Sequence, residues 1–288
     1  VTVNTILLIF TAACLMLVGC TAFFLSQNII LSLLLQLNPF LWTILSESSR
    51  VRPEAMLFCL TQLLVILLLF YLYSETYRLP RFALVMGAVL GLGVATKVTF
   101  LPLSLLLFLL PGWRQKGIAI SSMIGTFFLA TIPIFSQYPR FFNWLTSIAT
   151  HTGRYGSGNR GFVDASALPN TFASLINQDQ LFFYIVALST LNFLIITFRF
   201  GLNRLKSLNL QAPPAIYFAN KFYHLFACLL LIILIQLSLT LKHPAIHYLL
   251  PSMGLCSLLI LIQVNLFAKL LTPVLGSTIF RNIGLFLL

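Results

Sequence analysis

Charge is what this sequence has least of. Asp, Glu, Lys and Arg make up 8% of its 288 residues, and only 5 are acidic. A soluble domain is about 25% charged, so these side chains are too few to cover a water-facing surface. There is no CxxC pair and no cysteine beside a histidine cluster. Cys14, Cys20, Cys59, Cys228 and Cys256 all fall inside apolar runs. They read as small buried apolar residues, not as disulfides or metal ligands. The net charge is +12, yet no basic and aromatic stripe suited to nucleic acid accompanies it. No nucleic-acid partner, metal or cofactor is expected. No internal repeat, low-complexity tract or interdomain linker interrupts the chain. The opening segment lacks the basic n-region and small-residue cleavage site of a signal peptide. The first residue is Val1, and a processed or truncated chain is expected.

What is present is apolar: 59% of residues are hydrophobic, 27 of them Phe, and the mean hydropathy is +1.00. A membrane span needs about 20 apolar residues, and a helix satisfies its own backbone in lipid. Candidate spans run from Val3 to Leu25, Ile29 to Leu45 (carrying Pro39), Ala55 to Tyr73, Phe82 to Thr96, and Phe100 to Leu110. Four more run from Ile118 to Phe135, Leu181 to Phe198, Phe222 to Leu241, and Ala245 to Phe267. The fourth and fifth are short, so Lys97 and Pro102 can mark a break in one tilted hairpin. A tenth span starts near Val274. The expected fold is an all-α polytopic transmembrane bundle of about 9–10 spans, one integral membrane domain over residues 1–288. Residues 137–180 form its long extracytoplasmic loop and residues 199–221 a basic cytoplasmic loop.

Orientation follows from the basic residues. Strict alternation puts nine Lys and Arg on one side and seven on the other, or four once the long loop is discounted. The richer side is the cytoplasm. The unusual polar clusters then all fall on the outer face. The first is Ser46 to Glu54, in which Arg50 and Arg52 can bind a phosphate while Glu54 orients one of them. Pro53 and Glu54 equally suit a plain helix start. The second is GAVLGLGVATKVTFLP. Gly87 and Gly91 form a GxxxG, which lets helices approach closely, and no strand precedes them as a phosphate loop requires. Lys97 must snorkel or find an anionic partner. The third is His151 to Gly161, where Arg154, Tyr155 and Arg160 stand among glycines whose backbone can cradle an anion. A flexible loop is the plainer alternative. The fourth, Lys242 to Pro251, offers Lys242, His243, His247 and Tyr248 to phosphate or sugar hydroxyls. His243 and His247 are four apart, but Pro244 separates them and no third metal ligand is near.

The order SESSRVRPE, then GLGVATKVTFLPL, then KHPAIHYLLP resembles the C-type glycosyltransferases of family 39 over most of Ile29 to Leu261. That group includes protein O-mannosyltransferases and lipid A aminoarabinose transferases. The resemblance implies transfer of a sugar from a polyprenyl-phosphate donor to a lipid, glycan or protein acceptor on the outer face. It implies that the Arg52 and Glu54 region lines the catalytic cavity, with Glu54 the candidate catalytic residue of this chain. Lys97, with Arg154 or Arg160, would contact the donor phosphate, and Lys242 to Tyr248 would close the cavity. The family's acidic catalytic residue lies between its first and second spans. No Asp occurs from Val1 to Glu47, so that residue is expected outside this chain. The rival reading is a transporter or flippase for a lipid-linked anion, which would need polar residues on both faces. The lack of glycosylation sequons favours a bacterial inner membrane, with the site facing the periplasm.

Overall fold

The computed structural model describes residues 2–48, 50, 52–153, 156, 158–161, 166–206, 214–242 and 244–275. It is helical throughout, with no β-strand among the described residues; the one isolated bridge pairs His151 with Arg160. The described residues form twelve α-helices in order: α1 Thr2–Ser26, α2 Ile29–Leu35, α3 Trp42–Ser48, α4 Pro53–Tyr73, α5 Pro80–Thr96, α6 Gly112–Thr131, α7 Tyr138–Thr150, α8 Leu168–Gln178, α9 Gln180–Lys206, α10 Pro214–Lys242, α11 Leu250–Gly254 and α12 Cys256–Leu275. Proline opens α4, α5, α7, α8 and α11. Its missing N–H is harmless in the first turn, where no partner exists for it.

Among the described residues, five helices are long and apolar enough to cross a membrane, seven if each bent pair counts as one span. The protein is an integral membrane protein. The expected second span is bent by 73° between Ile29–Phe40 and Trp42–Ser48, and the expected ninth by 44° between Ile246–Gly254 and Cys256–Phe267. The expected fourth and fifth spans are the two shorter apolar helices, broken at Lys97 as the sequence indicates. The second of these, Val98–Leu109, is a 3-10 helix. At about 2.0 Å per residue it reaches further than an α-helix of equal length, which compensates for its shortness. The expected tenth span lies largely outside the described residues.

Two expected loops contain helix. Residues 137–180 contain α7 and α8, because their apolar residues recur at the helical period even though neither forms an unbroken apolar run. Most of residues 199–221 belongs to α9 and α10, which extend beyond the apolar stretches that mark their membrane portions.

Helix α4 is the hub, with 72% of its span window buried, against 11% for the span that begins with α6. At 1.5 Å per residue α4 spans about 30 Å, the thickness of the hydrocarbon core. At one end, Glu75 pairs with Arg78 at 2.7 Å and with Lys221 of α10 at 3.4 Å, and Lys221 lies 4.3 Å from the centre of the Tyr77 ring. The other end begins at Glu54. Helices α5 and α6 meet closely. A Cβ on Gly87 or Gly91 would overlap the carbonyl oxygens of Ala119 or Met123. Ser122 Oγ donates to the Leu84 carbonyl across the same seam at 2.7 Å.

Side-chain amides repair the backbone where spans break. At the bend between α11 and α12, Asn38 Nδ2 donates to the Gly254 carbonyl at 3.0 Å, and Asn38 Oδ1 accepts from the Ser257 N–H at 3.2 Å. Gln62 of α4 also donates to Gly254, at 3.2 Å. Irregular backbone at membrane depth survives only where such groups are satisfied within the protein. Asn38→Leu removes both bonds and orphans the Ser257 N–H. It is expected to lower stability by about 2 kcal/mol in thermal unfolding in detergent, while Leu37→Ala, at the surface, changes little.

Candidate functional site

The site forms where α4 begins, α5 ends and the bent ninth segment starts. Lys97 is the single extended residue between α5 and the 3-10 helix, with φ −163° and ψ 131°. Its N–H closes α5 by donating to the Gly93 carbonyl at 2.9 Å, and its carbonyl opens the 3-10 helix by accepting from Phe100 at 3.0 Å. Gly93 permits this turn, since the Phe100 ring lies where its Cβ would stand. The Lys97 ammonium is thereby aimed at the first turn of α4. Its Nζ donates to Glu54 Oε1 at 2.5 Å and sits 4.3 Å from the centre of the Tyr248 ring. Glu54 is 3% exposed, and its Oε2 has no hydrogen-bond partner among the described residues.

His247 and Tyr248 belong to the 3-10 turn Ile246–Leu249. Their rings lie 4.5 Å apart, and His247 Nε2 approaches Glu54 Oε1 to 3.8 Å. His247 is also within electrostatic reach of Lys97, Glu47 and Arg52. A buried carboxylate thus holds an ammonium and an imidazole on one side, and a phenol ring covers the ammonium from another.

The arginines are held differently from the expectation. Glu47, not Glu54, orients them: Arg50 Nη1 reaches Glu47 Oε1 at 2.6 Å, and Arg52 Nη1 reaches Glu47 Oε2 at 3.3 Å. Pro53 starts α4, which turns Glu54 inward toward α5. Glu47, in the last turn of α3, is three residues from Arg50 and remains beside it. Glu47 is buried, whereas both arginine side chains are about half exposed. Their forks are fixed at one edge and open at the other, a form suited to phosphate oxygens.

Lys242 ends α10 and donates to the Ile148 carbonyl of α7. Arg160 is exposed and its backbone pairs with His151. The structure therefore brings Glu54, Lys97, His247 and Tyr248 together, with Arg52 near them and Arg50 beside it on Glu47. It places Lys242 on α7 and Arg160 in the loop beyond. Arg154, Tyr155 and His243 lie outside the described residues.

Three residues of the arrangement were not among the expected ones. Glu47 could have been found from its i, i+3 spacing to Arg50. Gln236 is an amide within an otherwise apolar run, CLLLIILIQLSLTLK, the usual mark of a polar tie between spans. It donates to the Thr99 carbonyl at 2.8 Å and accepts from Ser252 Oγ. It thus joins the segment just after Lys97 to the segment just after Tyr248. Asp179, also buried, accepts from the Phe182 N–H at 3.3 Å and the Thr43 N–H at 3.1 Å. One carboxylate so serves the first turns of α9 and α3, where helix dipoles favour it.

No family model, curated protein or solved structure matches this chain.

Proposed function

We propose that this protein is a membrane glycosyltransferase that takes its sugar from a polyprenyl-phosphate donor on the extracytoplasmic face, in a bacterial inner membrane. The observation that carries this reading is the pair of half-exposed arginines fixed by buried Glu47, beside the Glu54–Lys97–His247–Tyr248 cluster, at one end of the bundle. An anionic headgroup at a membrane boundary needs such cations, and a glycosyl donor anchored in lipid presents its phosphate at that depth.

In this reading the acceptor hydroxyl attacks the anomeric carbon, its proton passes to a base, and the bond to the lipid phosphate breaks with inversion. The departing phosphate gains negative charge, which Arg50, Arg52 and Lys97 stabilise. Glu54 is enclosed and engaged by Lys97, so it acts by holding Lys97 and His247. His247, 26% exposed, is the group of this cluster that an acceptor proton can reach.

The test uses the full-length protein in lipid nanodiscs with polyprenyl-phosphate hexoses and pentoses radiolabelled in the sugar. Donor-dependent product is expected. Arg52→Ala removes one charged hydrogen-bonding group, worth about 1.5–3 kcal/mol, and should slow transfer by about ten- to a hundredfold. Absence of product from every donor, or full activity of Arg52→Ala, contradicts the reading.

One observation favours a second reading, a flippase for a lipid-linked anion: two bent spans meet at their breaks, as the discontinuous helices of carriers do. Against it, the freed groups at Gly254 and Ser257 are already bonded by Asn38 and Gln62. Lipid scrambling without any covalent product would favour this alternative.

A further inference from the structure

Helices α6 and α7 form one helical stretch, Gly112–Thr150, of 39 residues. At 1.5 Å per residue that is about 58 Å, nearly twice the hydrocarbon core. Helix α6 alone fills the core. It starts at the Glu75 end of the bundle, where Gln115 donates to the Arg78 carbonyl. Its Thr131 is therefore at the opposite boundary, the level of Lys97.

There the stretch bends through a 3-10 turn, Ile132–Gln137, with Pro133 at its start and Ile134 out of helical geometry. The bend is clasped. Thr131 Oγ1 and Tyr138 OH are hydrogen bonded at 2.5 Å, and the Phe128 and Phe135 rings lie 5.9 Å and 5.1 Å from that of Tyr138. The far end of α7 is pinned as well, since the Ile148 carbonyl accepts from Lys242 Nζ at the site end of α10. Both ends of α7 are thus tied to span ends at the same face.

Its side chains divide accordingly. At 100° per residue, Tyr138, Phe141, Phe142, Trp144, Leu145 and Ile148 share one face. Arg140, Asn143, Thr146, Ser147 and Thr150 share the other. The protein covers the apolar face only in part: Tyr138 is buried, Phe141, Trp144, Leu145 and Ile148 are partly exposed, and Phe142 is 53% exposed. The stretch before it is also apolar and open, with Leu129 of α6 70% exposed and Phe135 of the turn 67% exposed.

We infer that α7 is an interfacial helix whose partner is the phospholipid leaflet on the site face. Its aromatic side is seated at the boundary of headgroups and acyl chains, and its polar side is in water. It carries one cation, Arg140, so apolar area holds it there and anionic lipid is not required. The helix thereby sets His151, which follows it directly, at headgroup level.

The test is the depth of Trp144. The chain has 3 tryptophans, so the W42F/W113F variant leaves Trp144 as sole emitter. The full chain is reconstituted into phosphatidylcholine vesicles brominated at different acyl positions. Strongest quenching by the shallowest bromines is expected, at a depth of about 5–10 Å. Strongest quenching at the bilayer centre would make α7 part of a span. Quenching by aqueous acrylamide with none from bromolipid would place it off the membrane. Either overturns the inference. A photo-crosslinking residue at Phe142 should give lipid adducts and one at Asn143 none; the reverse overturns it independently.

Discussion

Lys97→Met alone is expected to destabilise the protein by about 3–5 kcal/mol, and adding Glu54→Leu to recover most of that loss. The reason is the asymmetry of the pair. Glu54 is 3% exposed and Lys97 22%. Removing the ammonium strands a carboxylate whose Oε1 loses its 2.5 Å donor and whose Oε2 is already unpartnered among the described residues. The carboxylate is too enclosed to be rehydrated. Removing both charges leaves an apolar contact of similar volume, which a protein interior tolerates. Glu54→Leu alone should be milder than Lys97→Met alone, because the lysine stem is long enough to carry its charge toward water. Unfolding of the four proteins in detergent gives the cycle. Strictly additive effects would mean that the pair contributes nothing as a pair.

Gly91→Leu is the second large effect, expected at about 3 kcal/mol, the upper part of the range for overpacking. The new Cβ would meet the Met123 carbonyl and the Thr126 side chain. A backbone oxygen cannot rotate away as a side chain does, so α5 and α6 must separate along the seam. Lys97 ends α5, so the shift would also move the ammonium relative to Glu54. Gly125→Ala is the control. It lies in α6 with nothing within 4 Å of its Cβ position, and should stabilise by up to about 1 kcal/mol through helix propensity. Comparable losses in both variants would show that the seam is not close-packed.

The helical membrane fold was legible because lipid leaves a chain few choices. Runs such as Ala55 to Tyr73 have no other stable form there. The break at Lys97 was legible as well, since a charge in an apolar stretch must reach water or a partner. Its actual partner was not. Glu54 lies 43 residues away, and only the packing of α4 on α5 brings them together. The 3-10 form of Val98–Leu109 left no clear trace in composition. Helix α7 was readable in principle from the period of YPRFFNWLTSIAT, but neighbouring glycines and the lack of an unbroken apolar run gave it the look of a loop. Glu47 holds the arginines in place of Glu54, the residue expected to, because the sequence does not say that the first turn of α4 faces Glu54 inward to Lys97. Asn38 and Gln236 are amides within apolar runs, but what each bonds depends on where α11 bends.

A shared anion site requires Arg52, Arg160 and His247 to meet the same water boundary, with Arg78 at the opposite one. The direct measurement is labelling by a membrane-impermeant thiol reagent of single cysteines at these four positions, in a chain otherwise free of cysteine, in sealed vesicles of known orientation. The cysteines at 52, 160 and 247 should react from one side and the cysteine at 78 only from the other. Reaction of any of the first three from the side that labels position 78 would contradict a shared anion site.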